Sequence, residues 1–183
     1  TGLAAAVSAL ENGAKKVVIL EKLGYLGGST NVSGGALNAV DDKRQKAQGI
    51  DDSVQKFYEA TMKGGHNVGN PELVKYLTDN AYPTVKWMEK EGVVFRDKIG
   101  AATGSLGQRS HYGKKPAGYA YTSVFENKLK EYGDRVVVLT ETPATKLIMD
   151  KSGRVIGVSG LHAGKQPVTV MAPSVILATG GFG

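Results

Sequence analysis

Residue types and spacing that could do chemistry begin at the first two residues. Thr1-Gly2 opens an alanine-rich stretch that runs to Asn12, where Gly13 supplies a stop, and Val17-Val18-Ile19-Leu20 then leads into Glu21. A helix that starts at a bare glycine offers unpaired N–H groups and the positive end of its dipole to a diphosphate. An acid at the end of the following strand accepts hydrogen bonds from ribose hydroxyls. The interval of about 19 residues from Gly2 to Glu21 suits that pairing. Residues 1–21 thus read as the second half of a dinucleotide-binding βαβ unit. Of the three glycines in G-x-G-x-x-G only a third, Gly2, is present, so any α/β protein with an alanine-rich helix accounts for this segment equally well.

The next loop adds donors. Lys22 follows Glu21, and then come Gly27-Gly28-Ser29-Thr30, Ser33-Gly34-Gly35 and Leu37-Asn38-Ala39. Glycine backbone with Ser and Thr hydroxyls approaches a diphosphate or a flavin ring without side-chain obstruction. This run resembles the E-K-x…G-G-[NS]-T…G-G-x-N-A pattern of the fumarate reductase/succinate dehydrogenase flavoprotein family, which includes soluble fumarate reductases, urocanate reductase and 3-ketosteroid dehydrogenases. Thr142-Pro143-Ala144-Thr145-Lys146-Leu147-Ile148, with Gly153 to Val158, is similar to that family's hairpin. Val175 to Gly181 is similar to its third flavin fingerprint. Arg109-Ser110-His111, Pro116 and Gly118 resemble its R-x-H…P-x-G loop, except that Lys114 and Lys115 stand where the family more usually has Gly-Gly.

The resemblance implies a Rossmann-like FAD-binding domain of α/β class, a parallel sheet with helices plus an antiparallel β-meander. It implies FAD contacts from Thr1, Gly2, Glu21, Lys22, Gly28, Ser29, Thr30, Ser33, Gly34 and Gly35. The backbone near Ala144 would meet the adenine, and Ala178, Thr179 and Gly180 would lie beside the cofactor. No His stands in Ser29-Thr30-Asn31-Val32-Ser33, where some relatives attach FAD, so non-covalent FAD is expected. The implied activity is reduction or formation of a C=C bond next to a carboxylate or carbonyl, by hydride transfer at flavin N5. The implied partners are a small dicarboxylate or related unsaturated acid and an electron donor. The catalytic residues of the resembled proteins are expected downstream of Gly183, in a capping domain, and the first strand upstream of Thr1, between Val17–Leu20 and Val175–Ala178. Lacking that strand, residues 1–183 are expected to self-associate or to bind FAD weakly. The alternatives are an L-aspartate oxidase-like or 3-ketosteroid dehydrogenase-like flavoenzyme, or a non-catalytic nucleotide- or partner-binding fragment.

The elements that must position these residues follow from patterning. Residues 1–40 are the βαβ half, 41–107 a helical insertion, 108–133 a loop and helix, and 134–183 a strand-rich part. Within them, helices are expected over Gly2–Asn12, from Asp51-Asp52 to Met62, from Pro71 behind the cap Asn70, and over Tyr121–Tyr132. In the third of these the inward stripe is Val74, Leu77, Ala81, Val85 and Met88, and Pro83 should bend or divide it. Val17–Leu20 reads as a strand buried on both faces. Further strands are expected over Val136–Leu139, Ala144–Met149, Val155–Val158, Val168–Met171 and Val175–Ala178, with a turn at Asp150-Lys151-Ser152-Gly153. Trp87 and Tyr82 are expected in the core, His111 in a structural or surface role, and His66 and His162 in solvated loops.

Composition narrows the field. The chain has 183 residues, 41% of them hydrophobic, 25 glycines, no cysteine and a net charge of +6. Thiol chemistry, disulfides and iron–sulfur ligation by this segment are excluded. Basic residues are interleaved with acids and form no stripe with stacking aromatics, so nucleic acid is not expected. No apolar run is long enough to cross a bilayer. Thr1 is not a natural start, so compartment stays open between cytoplasm and cell envelope.

Overall fold

The computed structural model describes residues 1–181. In chain order the helices are α1 (Gly2–Glu11), α2 (Gly28–Val32), α3 (Asp42–Ala47), α4 (Val54–Gly64), α5 (Pro71–Lys90) and α6 (Tyr119–Glu131). The strands are β1 (Val17–Leu20), β2 (Ala36–Asn38), β3 (Ser110–Tyr112), β4 (Val136–Leu139), β5 (Ala144–Met149), β6 (Val155–His162) and β7 (Gln166–Met171). These form two compact units, one of Thr1–Gly28 with the chain from Phe125 onward, the other of Ser29–Val124.

In the first unit β1 and β4 pair in parallel, Val17 opposite Val136 and Leu20 opposite Leu139. α1 packs on β1 through Ala6, Val7 and Leu10, all buried. The end of α1 is tied down by Arg135, whose guanidinium donates to Leu10 O at 3.3 Å and Ala14 O at 2.6 Å. β5, β6 and β7 form an antiparallel meander. Its first turn is set by the Asp150 carboxylate, which accepts from the N–H groups of Ser152 and Arg154, while Gly153 takes a φ of 83°.

Two expectations fail in this unit. β1 is half-buried along its length rather than enclosed on both faces. Among the described residues its ladder runs to β4 on one edge, and α1 packs on it. Residues 174–181 form no helix and join no ladder among the described residues, so Val175–Ala178 is not a strand here. Strand character needs a hydrogen-bonded neighbour, and an apolar run by itself does not provide one. Ile176 and Leu177 are accordingly 63% exposed.

The second unit is built on Val40, Phe57, Val85, Met88, Val93, Phe95, Ile99 and Tyr121. α5 opens as the sequence predicts, with Asn70 Oδ1 accepting from the N–H groups of Glu72 and Leu73 and Pro71 at the first helical position. It differs from expectation in two ways. Leu77 is 55% exposed and Thr78 is buried in its place, because the Thr78 hydroxyl satisfies itself on Lys75 O and leaves a small apolar body. Pro83 does not divide the helix. It is exposed, so the carbonyl that its ring leaves unpaired stands on the solvent side.

Sequence patterning missed α2, α3 and the β2–β3 pair, and placed the start of α4 early. Polar bonds, the caps local and others reaching across the chain, set these elements rather than apolar periodicity. Asp41 Oδ1 caps α3 by accepting from Arg44 N at 3.0 Å, and Ser53 caps α4 by accepting from Lys56 N. Asp52 instead binds Arg109 through both oxygens at 2.8 Å and also accepts from Ser53 N and Gln45 Nε2.

Candidate functional site

In the first unit, the sequence-predicted residues make two contacts, Gly2 with Ala178 and Glu21 with the start of β5. Thr1 precedes α1 without a side-chain cap, and the N–H groups of Gly2, Leu3 and Ala4 come before the first intrahelical bond, from Ala5 N to Thr1 O. A Cβ built on Gly2 would stand 3.4 Å from the Ala178 Cβ, an ordinary contact, so residues 174–181 run past the open end of α1. Packing among the described residues therefore does not require glycine at position 2. The bare backbone leaves room for a ligand at the positive end of the helix.

Glu21 closes the C-terminal end of β1. Its N–H donates to Leu139 O at 2.9 Å, its carbonyl accepts from Thr142 N at 2.8 Å, and its carboxylate accepts from Leu23 N at 2.8 Å through Oε1. The second carboxylate oxygen gives this half-buried acid further capacity to accept. The Thr142 bond also brings the start of β5, and with it Ala144, to the same strand end. Ala144 pairs with Gly160, and the register shifts between it and Lys146. Lys22 follows Glu21 directly and is exposed.

The glycines sort into two kinds. At Gly28, Gly34 and Gly180 a Cβ would meet nothing within 4 Å, and Gly28 and Gly180 take φ of 47° and 80°. Their backbone is open to approach, and Ser29 and Thr30 are exposed beside Gly28. Thr179 is likewise exposed. Gly35 is different. Its φ is 70° and its Cβ would lie 2.6 Å from the Ala117 carbonyl, so packing inside the second unit already accounts for it. Ser33 is bound locally, its hydroxyl donating to Thr30 O at 2.9 Å and its carbonyl accepting from Gly118 N at 3.1 Å.

Gly118 is the packing residue that sequence reasoning underweighted. Its Cβ would lie 1.9 Å from Thr30 O and 2.7 Å from Ser33 Oγ. Around it Thr122 Oγ1 donates to Asn31 Oδ1 at 2.5 Å, and Tyr121 Oη donates to Gly35 O at 2.5 Å. Burial pushes the Tyr121 phenol up to about 12, so it remains a donor at any physiological pH. The P-x-G spacing of Pro116 and Gly118 was the available signal.

His111 lies fully buried in a polar core rather than on any open surface. Nε2 is 3.2 Å from Asp41 Oδ2, Nδ1 is 3.2 Å from Arg109 O, and the ring stands edge-on to Phe95. Arg44 joins Asp41 at 2.7 Å and Glu89 at 2.5 Å. Burial raises the Asp41 carboxyl, but hydrogen bonds from the Arg44 backbone and side chain and from His111 outweigh it and hold the group at about 2. These bonds hold α3, α5 and β3 together, and their donors and acceptors are consumed in doing so. His162 also departs from expectation. It ends β6 with Nδ1 2.9 Å from Thr142 Oγ1 and 3.1 Å from Thr140 O, while His66 does sit exposed, at φ 52°. Tyr82 and Trp87 are half-buried. Among the described residues no group of three or more His, Asp or Glu is arranged to hold a metal, and no helix is long and apolar enough to cross a membrane.

An open helix N-terminus, a glycine freed from packing and a strand-end acid define a nucleotide-binding α/β protein, and the residues fit a dinucleotide cofactor. Comparison with known proteins makes this specific. A family model described as FAD binding domain matches residues 1–183, and the chain belongs to that family, whose cofactor is FAD. It is 34% identical over 184 residues to the NADH:fumarate oxidoreductase of Klebsiella pneumoniae, covering 99% of this chain and 19% of that protein. It is 37% identical to the urocanate reductase of Eggerthella lenta, covering 100% of this chain and 30% of that protein. The open conformation of a flavocytochrome c3 fumarate reductase superposes on the whole chain with a TM-score of 0.91 at 30% identity, over 32% of its own length. The fold is thus the Rossmann-like FAD-binding fold. The chain spans about a fifth to a third of the length of these relatives.

Proposed function

We propose that this chain forms the nucleotide-binding part of an FAD-dependent oxidoreductase that reduces, or forms, a C=C bond next to a carboxylate or carbonyl. The observation that carries the reading is the uncapped start of α1 facing Ala178, with no described residue crowding the Gly2 Cβ position, in a family whose relatives reduce fumarate and urocanate. Bound FAD supplies hydride exchange at flavin N5. This chain's part is to bind and orient. The first turn of α1 donates N–H groups to the diphosphate. Glu21 accepts from the ribose hydroxyls, and the backbone at Ala144 meets the adenine. Lys22, Gly28, Ser29, Thr30, Ser33, Gly34 and Gly35 contribute contacts after β1, as do Ala178, Thr179 and Gly180 in the segment beside α1. The substrate is a small unsaturated acid, a dicarboxylate or its like, and an electron-donor domain or protein serves the flavin.

The test is a titration of the folded, flavin-free protein with FAD, followed by activity with a reduced dye as electron donor. Saturable binding near one FAD per chain, with dye oxidation on adding fumarate or urocanate, is the expected result. A folded protein without saturable FAD binding would refute the cofactor assignment. FAD binding without turnover of any unsaturated acid would refute the substrate class alone.

A further inference from the structure

The segment that joins β4 to β5 is held in an unfavourable backbone conformation next to Glu21. Glu141, a non-glycine residue, takes φ 50°, and Ala163 after β6 takes φ 48°. Such conformations persist where surrounding bonds over-determine them, and they concentrate at ligand-binding positions. Here the bonds are explicit. Glu141 N donates to Leu23 O at 2.9 Å, Thr142 N to Glu21 O at 2.8 Å, and Ala163 N to Glu141 O at 2.8 Å. The crossover therefore touches the backbone on both sides of the Glu21 carboxylate.

One side chain closes this arrangement. Thr142 is fully buried, and its hydroxyl donates to Thr140 O at 2.7 Å. His162 Nδ1 lies 2.9 Å from that hydroxyl and 3.1 Å from the same carbonyl. A carbonyl only accepts, so Nδ1 carries the hydrogen and the imidazole donates into the crossover, a tautomer assigned from its partners. Thr140, Glu141 and Thr142 are thus pinned to the last residue of β6. The same hairpin fixes Ala144 through its pairing with Gly160.

We propose that His162 is a positioning residue for the adenosine half of the cofactor. It clamps the Thr140–Thr142 crossover so that Glu21 and Ala144 are presented together to ribose and adenine. The inference rests on the reading of Glu21 and Ala144 as nucleotide contacts. A residue that merely stabilised the fold would affect FMN, which lacks the adenosine, as much as FAD.

The experiment compares dissociation constants for FAD and FMN in the flavin-free wild-type protein, His162→Ala and His162→Asn. The Asn amide can donate where Nδ1 does. The expected result is a rise of about fivefold or more in the FAD constant of His162→Ala, an unchanged FMN constant, and recovery to within about twofold in His162→Asn. His162→Ala binding FAD as wild type does, or losing FAD and FMN by the same factor, would overturn the assignment of His162. If His162→Ala does not fold, His162→Asn decides: near-wild-type FAD binding supports the clamp, and a loss of about fivefold or more overturns it. A wild-type protein with no preference for FAD over FMN would overturn the nucleotide reading itself, and the clamp with it.

Discussion

Substituting Gly118 by Ala tests the packing that holds α2 in place. The added Cβ would lie 1.9 Å from Thr30 O, 2.7 Å from Ser33 Oγ and 2.8 Å from the Thr30 carbonyl carbon. Two of these three atoms are backbone, so no rotamer change relieves the clash. To restore an ordinary contact the Thr30 carbonyl must retreat by roughly 1.5 Å, which interior packing resists. That displacement loosens the Gly118 N–H bond to Ser33 O and the Thr122 hydroxyl bond to Asn31. Overpacking of this kind costs about 1–3 kcal/mol, and each lost hydrogen bond about 1 kcal/mol more. A destabilisation of about 3–5 kcal/mol lowers the melting temperature of a protein this size by roughly 6–20 °C.

Gly34→Ala is the matched control. It lies one residue from Ser33, and its Cβ would meet nothing within 4 Å at a φ outside the left-handed range. An exposed substitution of that kind changes stability by less than about 0.5 kcal/mol. Circular dichroism melts of the two variants beside wild type give the comparison. Equal melting temperatures for Gly118→Ala and Gly34→Ala would refute the argument, since they would mean that the loop around Thr30 yields freely.

Further outcomes follow from the same geometry. Gly2→Ala is expected to leave stability unchanged or raise it by up to about 1 kcal/mol, while weakening FAD binding, as read by melting and by flavin titration; weakened folding with intact binding would contradict the open-helix reading. The Asp41 carboxyl, at about 2 in the folded protein against about 4 when unfolded, contributes about 2 kcal/mol that is fully present above pH 5 and lost as pH falls from about 4 through 2. Asp41→Asn should flatten that part of the acid limb in urea titrations at pH 2 to 6, and an unaltered slope would exclude this pair as its origin. Pro83→Ala restores a helical N–H on an exposed face and should stabilise by about 1–3 kcal/mol. With no His in residues 29–33, acid precipitation should leave all FAD in the supernatant, and flavin held by the pellet would show a covalent link.

What the sequence disclosed and what it withheld divide along the range of the forces involved. α1, α5, α6 and the β5–β6 hairpin were legible because a capping Asn, a proline at the first helical position, a 3.6-residue stripe or a two-residue alternation is written into consecutive residues. α3 and the β2–β3 pair were not. They depend on Asp41 meeting Arg44 and His111, and on Asn38 meeting Ser110, side chains as much as seventy-two positions apart. Pairing also decided Val175–Ala178, whose apolar run joins no ladder among the described residues. His162 was misplaced for the same reason, since nothing near it in sequence announces the Thr140 carbonyl.

Glycine shows the limit most sharply. A cluster of glycines signals close approach of something to the backbone, without saying whether that is another segment of the chain or a ligand. The space around each Cβ separates the two. Gly35 and Gly118 are demanded by the protein, because a methyl group at either position would overlap a backbone carbonyl. Gly2, Gly28, Gly34 and Gly180 are not, for the protein leaves their Cβ positions open or in ordinary contact. Gly28 and Gly180 still have a conformational reason in their positive φ, which leaves Gly2 and Gly34 without a packing or conformational need among the described residues. Helix α1 would be more stable with alanine at its first position. A glycine that costs stability and meets no crowding among the described residues fits the proposal that a diphosphate binds at the N-terminus of α1. Gly34 is the weaker case, since exposed loops tolerate glycine at little cost, and the flavin titration of Gly34→Ala decides whether its bare backbone is used.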